Sequence, residues 1–199
     1  MNRMTRPWIT TIMSRVMAGL ANGKLVALDL RDGRVAWEAT LATPHGRSEI
    51  EQLVDVDADP LSDGSTVYAA GYQGHVAALH VDTGVQLWSR EMSTALALAR
   101  DPQRIYLHDN DSRVWALDAA TGDALWKQEA LRGRGVTAPT VANDGQSVVV
   151  GDAQGYVHWL SVDDGHLVAR YFVNSAPVAG PLLALDNNSL LVRRRSGVM

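Results

Sequence analysis

A hairpin that occurs four times constrains this chain more than any other feature of its sequence. Each copy begins with a short apolar segment, reaches a turn glycine ten residues after its first residue, and continues into a second apolar segment. The turn glycines are separated by 51, 38 and 43 residues. They are Gly33, Gly84, Gly122 and Gly165. A period of about 40 to 50 residues is typical of propeller blades or of helical arrays.

The repeated segments have the character of strands. "KLVALDL", "HVAALHV", "RVWALDA" and "YVHWLSV" are short and apolar, and each ends at a turn. A further apolar segment precedes each hairpin, at residues 14–20, 65–71, 103–109 and 146–152, and again at 189–195. A weaker apolar segment precedes each of the last four of these five segments and gives those modules a fourth strand. These modules of about 40 residues predict four-stranded blades of a β-propeller, because the 3.6-residue periodicity of helical arrays is almost absent.

A tryptophan follows the turn glycine by four residues in three of the four copies. We predict that Trp37, Trp88 and Trp126 are packing residues, in which a large ring covers the neighbouring blade and the indole N–H finds a partner. In the fourth copy Ala169 takes this position. We therefore expect that blade to be docked less tightly.

The spacing of the modules predicts the domain organisation. We expect a non-propeller tail at residues 1–13 and a partial propeller at 14–199, with an incomplete blade at 14–41, full blades at about 53–92, 94–130 and 135–173, and a truncated blade at 176–199. The first module would lack its inner strand and the last its outer pair. These two pieces could complete one another in a four-bladed ring, but their opening elements do not match such a closure. We favour about half of a larger propeller.

Composition excludes several classes of function. The chain has a formal net charge of −4, whereas proteins that bind nucleic acid are usually basic. It contains no cysteine, which excludes disulfides, thiolate metal sites and a cysteine nucleophile. No apolar run reaches the length of about eighteen residues that a membrane span needs. The first residues lack the sustained apolar core of a secretory signal.

The first interval between turn glycines is longer than the others because of an insertion at residues 42–60. Within it Asp55, Asp57 and Asp59 alternate, which places three carboxylates on one face of a strand. One interpretation is an acidic partner surface on a long loop. Another is that Asp55 and Asp57 cap a turn or a strand end. A calcium site is disfavoured, because the glycine bend and the bidentate glutamate of such loops are absent.

Longer stretches of the chain resemble a known family. "GKLVALDLRDGRVAWEATLATPHGRSEIEQLVDVDADP", "VYAAGYQGHVAALHVDTGVQLWSRE" and "VVVGDAQGYVHWLSVDDGHLVAR" resemble the BamB family of outer membrane protein assembly factors, over residues 14–197. The resemblance implies an eight-bladed propeller, of which this chain is similar to the C-terminal half. It also implies a non-catalytic scaffold at the periplasmic face of the outer membrane, which is lipid-anchored in the family. The signal and the lipidated cysteine of the family have no counterpart in this chain.

The family resemblance also implies partners and site residues. Its members bind the periplasmic POTRA domains of the barrel-inserting protein BamA and assist the insertion of β-barrel proteins. The resemblance places Asp55 and Asp57 in the BamA-binding surface, where Glu49, Ile50 and Leu53 would either add contacts or pack within the loop. An exposed strand edge could also accept a client strand, although the sequence does not single out an edge.

The enzymatic alternative is a fragment of a quinoprotein dehydrogenase, which shares the repeat and binds pyrroloquinoline quinone. Many such enzymes stack the cofactor on an adjacent cysteine pair, which this chain lacks. Its six histidines are scattered over the blades, and we interpret His80 and His158 as surface or packing variation. No nucleophile elbow or phosphate loop is present. We therefore predict no catalytic residues, cofactor or metal site.

Overall fold

The structure is a computed structural model that describes residues 9–12, 14–20, 23–41, 59–71, 75–92, 97–142, 145–185 and 189–193. The regular elements of these residues are all β-strands. In chain order they are β1 Ile9–Ile12, β2 Arg15–Gly19, β3 Lys24–Asp29, β4 Val35–Thr40, β5 Leu61–Ser62, β6 Thr66–Ala70, β7 His75–His80, β8 Gln86–Glu91, β9 Ala99–Arg100, β10 Arg104–His108, β11 Val114–Asp118, β12 Ala124–Gln128, β13 Thr140–Val141, β14 Ser147–Gly151, β15 Tyr156–Ser161, β16 Leu167–Phe172, β17 Leu183–Leu185 and β18 Ser189–Leu191.

These strands form antiparallel sheets in which each strand pairs with its neighbour in the chain. The chain divides into two compact units, residues 1–95 and 96–199. The first unit contains the sheets β1-β2-β3-β4 and β5-β6-β7-β8. The second contains β9-β10-β11-β12, β13-β14-β15-β16 and the two-stranded hairpin β17-β18. The predicted four-stranded antiparallel modules are thereby confirmed.

The first sheet corrects one prediction. Ile9–Ile12 pairs with β2, with Ile9 opposite Ala18 and Ile12 opposite Arg15. This segment was expected to belong to a tail outside the propeller, and the first module was expected to lack its inner strand. Both expectations are wrong. The sequence of the segment, Ile-Thr-Thr-Ile, consists only of β-branched residues, which favour strands.

The turn between the third and fourth strand has the same geometry in all four sheets. The turn glycines have φ values from +67° to +76°, a region that glycine adopts at little steric cost. Each glycine N–H donates to the carbonyl four residues earlier, over 2.9 to 3.0 Å. A bulge follows in the outer strand, one residue before the tryptophan position. Because the bulge adds one residue, it determines the face on which the next side chain lies.

In the first unit, the tryptophan of one sheet holds the turn of the next. Trp37 is 8% exposed, and its Nε1–H donates to the carbonyl of Val81 over 2.8 Å. Its ring lies against Gly84 so closely that a Cβ there would fall 2.5 Å from Cε3 of the indole. Beside it, Nη2 of Arg15 lies 3.3 Å from Oδ1 of Asp82. Three residues of one turn are thus contacted by the preceding sheet.

The second unit repeats this arrangement. Trp126 is also 8% exposed and donates to the carbonyl of Val162 over 2.8 Å, with its ring against Gly165. An ion pair again lies beside the indole, between Nη2 of Arg104 and Oδ1 of Asp163 at 3.1 Å. The packing role predicted for Trp37 and Trp126 is confirmed.

Trp88, the third predicted packing residue, is half-buried, and its ring lies 6.2 Å from that of Tyr68.

The fourth sheet has the reverse of the usual cross-strand pair. In the other sheets an alanine on the third strand lies opposite the tryptophan, as Ala116 lies opposite Trp126, whereas here Trp159 lies opposite Ala169. The indole has moved one strand inward and packs against the apolar cluster of this sheet. The looser docking expected from Ala169 alone remains a prediction.

Candidate functional site

The predicted partner-binding residues cannot be placed. They lie outside the residues that the structure describes and are Glu49, Ile50, Leu53, Asp55 and Asp57. Asp59, the third carboxylate of the alternating set, is described: it is exposed and lies before the start of β5 rather than within a strand. The role of the other residues therefore stays a prediction.

The most deeply buried charged side chain of the described residues is Asp152, in the connection between β14 and β15, and polar groups surround it. We call this arrangement the Asp152 cluster. It consists of Arg134, Asp152, Tyr156, His158, Arg170 and Phe172. Asp152 is fully buried, and its Oδ1 accepts the backbone N–H groups of Gln154 and Tyr156, each at 2.9 Å. These bonds hold the turn that leads into β15.

The turn also depends on Gly155. Its φ is +83°, and a Cβ at this position would fall within 1.6 Å of the carbonyl oxygen of Asn174. The amide of Val173 donates to the carbonyl of Gly155 over 2.9 Å. Only glycine permits this close approach of two backbone segments.

The second oxygen of Asp152 accepts hydrogen bonds from three nitrogen atoms of two side chains. Oδ2 accepts from Nε and Nη2 of Arg134, at 2.7 and 2.6 Å, and from Nε2 of His158 at 2.9 Å. Burial acts to raise the pKa of Asp152, but hydrogen bonds from His158, from the Tyr156 amide and from Arg134 outweigh it and lower the pKa. The carboxylate is therefore ionised at neutral pH.

His158 is the neutral partner of this carboxylate. It is 1% exposed, and burial lowers its pKa against the opposing effect of Asp152. Because Nε2 carries the proton donated to Asp152, Nδ1 is the unprotonated nitrogen, and it has no hydrogen-bond partner among the described residues. The sequence led us to interpret His158 as surface or packing variation, whereas the structure makes it part of a buried network.

The outer side of the cluster combines cations and aromatic rings. Tyr156 lies opposite Phe172 and His158 lies opposite Arg170, so the four side chains share one face of the sheet. The Arg170 guanidinium lies 4.8 Å from the centre of the Tyr156 ring, and the Arg134 guanidinium lies 5.6 Å from it. The Phe172 ring is 4.9 Å from the Tyr156 ring and 49% exposed. Aromatic and arginine side chains are enriched in protein interfaces.

The preceding sheet contains the same turn, centred on Asp109. Oδ1 of Asp109 accepts the N–H groups of Asp111 and Arg113, and Oδ2 accepts the indole N–H of Trp115 at 3.0 Å. Trp115 follows Asp109 by six residues, as His158 follows Asp152. This repeated spacing is the signal from which the cluster could have been found. Its recurrence with a tryptophan in place of the histidine indicates that the aspartate organises the turn.

The chemistry that the Asp152 cluster supports is binding. Its carboxylate is saturated by donors, and its exposed groups are Arg170 and the ring of Phe172. Over the described ranges, no group of three or more histidine, aspartate or glutamate side chains is arranged to hold a metal ion. Nor does this part of the chain form a helix long and apolar enough to cross a membrane.

Comparison with known proteins defines first the class of protein and then the family. A crystal structure of BamB from Moraxella catarrhalis superposes with a TM-score of 0.84 and 29% identity, over 94% of this chain and 55% of that one. The chain is therefore about half of a propeller of four-stranded antiparallel blades. The sequence model of the family described as "Outer membrane protein assembly factor BamB" matches residues 5–128 and 101–198. The chain belongs to the BamB family.

Curated relatives agree with this assignment. The outer membrane protein assembly factor BamB of Alkalilimnicola ehrlichii is 41% identical over 168 residues, which are 84% of this chain and 43% of the relative. The chain thus spans less than half the length of the curated relatives it matches. A quinohemoprotein alcohol dehydrogenase from Comamonas testosteroni superposes with a TM-score of 0.72 at 14% identity. That likeness is one of fold alone.

Proposed function

We propose that this chain contributes to a non-catalytic scaffold for the assembly of outer membrane β-barrel proteins. In this role it binds the periplasmic domains of a BamA-like barrel-inserting protein, at the periplasmic face of the outer membrane. The observation that carries the proposal is the family match, which extends over residues 5–198. The relatives are named as assembly factors, which supports a scaffold rather than an enzyme.

We infer that the binding surface includes Asp55 and Asp57, with Glu49, Ile50 and Leu53 beside them. The support is the long insertion between the first two turn glycines, which interrupts an otherwise regular repeat with alternating carboxylates. Carboxylates on the rim of a rigid sheet can pair with basic groups of a partner, and such pairs set the orientation and rate of association. Binding is therefore expected to weaken as the salt concentration rises.

Isothermal titration calorimetry of the chain with the purified periplasmic domains of the barrel-inserting protein tests this proposal. We expect Asp55→Ala/Asp57→Ala to weaken binding about tenfold or more, which corresponds to about 1.4 kcal/mol. The matched control is Asp163→Ala/Asp164→Ala, which removes the same charge from two side chains that are 81% and 66% exposed in a turn of the second unit. Equal affinities of the two double variants would remove Asp55 and Asp57 from the site. No binding by the wild-type chain would contradict the scaffold role itself.

A further inference from the structure

The fourth strands of the four sheets, β4, β8, β12 and β16, each form one edge of their sheet. They differ most in the side chains of the residues whose backbone groups point outward from that edge. The carbonyl of Gly155 accepts from Val173, which fixes the hydrogen-bonding alternation of the pair β15-β16. In an antiparallel pair, successive residues point their backbone groups alternately toward and away from the partner strand. The N–H and C=O groups of Arg170 and Phe172 consequently point outward, where β16 has no sheet partner among the described residues.

Each of the other three sheets has two residues that are equivalent in strand register to Arg170 and Phe172. They are Glu38 and Thr40 on β4, Ser89 and Glu91 on β8, and Lys127 and Glu129 at the end of β12. Each of these pairs includes a glutamate. Glu38 is paired with Lys24, and Nζ of Lys127 lies 2.6 Å from Oε1 of Glu129. Charged side chains of this kind are a common protection of strand edges.

The β16 edge has a charged residue, Arg170, at the first of these positions, but it has no glutamate. Arg170 and Phe172 are exposed, and no carboxylate within the described ranges lies at ion-pair distance from Arg170. Its guanidinium lies instead 4.8 Å from the centre of the Tyr156 ring, and the backbone N–H of Tyr156 donates to Asp152. The edge therefore offers the outward backbone donors and acceptors of two residues, one exposed aromatic ring, and an arginine without a carboxylate partner among the described residues.

We propose that the edge of β16 binds an extended strand that carries a carboxylate opposite Arg170 and an apolar side chain against Phe172. The bound strand adds to the sheet through main-chain hydrogen bonds, and its side chains give specificity. The other three edges each carry a glutamate at one of these two positions, and β16 carries none. The inference rests on the proposed function, because strand-forming outer membrane proteins are the clients that such a scaffold handles.

Fluorescence anisotropy with labelled nine-residue peptides tests the charge requirement. The peptides alternate threonine and valine and have glutamate, glutamine or lysine at the centre. We expect the full 199-residue chain to bind the glutamate peptide at least tenfold more tightly than the lysine peptide. Arg170→Ala is expected to abolish this preference, whereas the control Lys127→Ala leaves it unchanged. Equal binding of all three peptides, or a preference that survives in Arg170→Ala, would overturn the proposal.

Two further comparisons test the strand geometry. Arg170→Pro removes the outward N–H as well as the side chain, so we expect it to bind more weakly than Arg170→Ala. Two glutamate peptides methylated on alternate amides give an independent measure that does not depend on how the proline variant folds. Edge pairing predicts that one methylation pattern blocks binding and the other does not, and equal effects of both patterns would exclude it. Binding of the Arg170 variants to the partner's periplasmic domains separates failure of this inference from failure of the proposed function.

Discussion

Two chemically identical substitutions in one unit provide a strict test of the tryptophan contact. Gly33 and Gly84 occupy the same turn position in successive sheets, with φ values of +71° and +67°. A Cβ added at Gly33 meets nothing within 4 Å, whereas one added at Gly84 falls 2.5 Å from Cε3 and 2.6 Å from Cδ2 of Trp37. Gly33→Ala therefore measures the cost of the backbone conformation alone, and Gly84→Ala adds the contact with the indole.

The expected free energies of unfolding follow from this geometry. Both substitutions place alanine in the left-handed region, at a cost of about 1 to 2 kcal/mol. At Gly84 the indole must also move by about 1 Å to reach an ordinary carbon–carbon distance. Trp37 is buried and bonded to the carbonyl of Val81, so this movement strains the core by about 1 to 3 kcal/mol and weakens a buried hydrogen bond by up to about 2 kcal/mol. We expect Gly84→Ala to be less stable than Gly33→Ala by about 1 to 5 kcal/mol.

Urea unfolding followed by circular dichroism measures both variants, and Trp37→Leu completes the test. Leucine removes the ring that the new Cβ would meet, so in this background Gly84→Ala should cost no more than Gly33→Ala does in the wild type. Two-state behaviour should be checked by comparing the m values of the variants. A difference of less than about 0.5 kcal/mol between the two glycine variants in the wild-type background, which is the usual limit of additivity, would refute the reasoning.

Two further predictions concern buried polar groups of the second unit. As the pH falls from about 7.5 to 5.5, the wild-type chain should lose more stability than His158→Gln. Burial holds the pKa of His158 in the folded state below its unfolded value of about 6.5, so the unfolded state takes up the proton first. Thermal melts at the two pH values measure this, and equal losses in the two proteins would contradict it. His108, whose pKa burial also lowers, leaves a residual pH dependence in that variant. Tyr106→Phe removes the hydroxyl that donates to Oδ2 of Asp101 over 2.6 Å. It should lower the free energy of unfolding in urea by about 1.5 to 3 kcal/mol. An unchanged unfolding midpoint would count against that hydrogen bond.

Features that depend on local chain chemistry could be predicted from the sequence. The turn glycines and the strands on both sides of them follow from short apolar segments and from positions that need a positive φ. Ile9–Ile12 was missed because it has no turn signature before it, and only its β-branched composition marks it as a strand. The bulge before the tryptophan was also not predicted, although it determines which face the indole takes.

The Asp152 cluster could not be read from the sequence in the same way. Arg134 reaches Asp152 from 18 residues earlier, and Arg170 comes from the next strand, so the cluster exists only after the sheet has formed. The exchange between Trp159 and Ala169 is equally a matter of cross-strand register. The sequence shows a missing tryptophan at position 169, and only the pairing shows that an indole is present one strand away.

Folding and recognition use different residues of each blade. The turn glycine and the buried third strand recur with little change of character, because each is constrained by a backbone conformation or by the core between two sheets. The outward edge positions carry glutamate, serine, lysine and arginine in turn, at sites where solvent covers the side chain. Substitutions at such exposed sites usually change stability by no more than about 0.5 kcal/mol. The β16 edge is therefore assigned to recognition if Arg170→Ala loses binding while its unfolding midpoint stays unchanged. A shifted unfolding midpoint would instead show that Arg170 supports Tyr156.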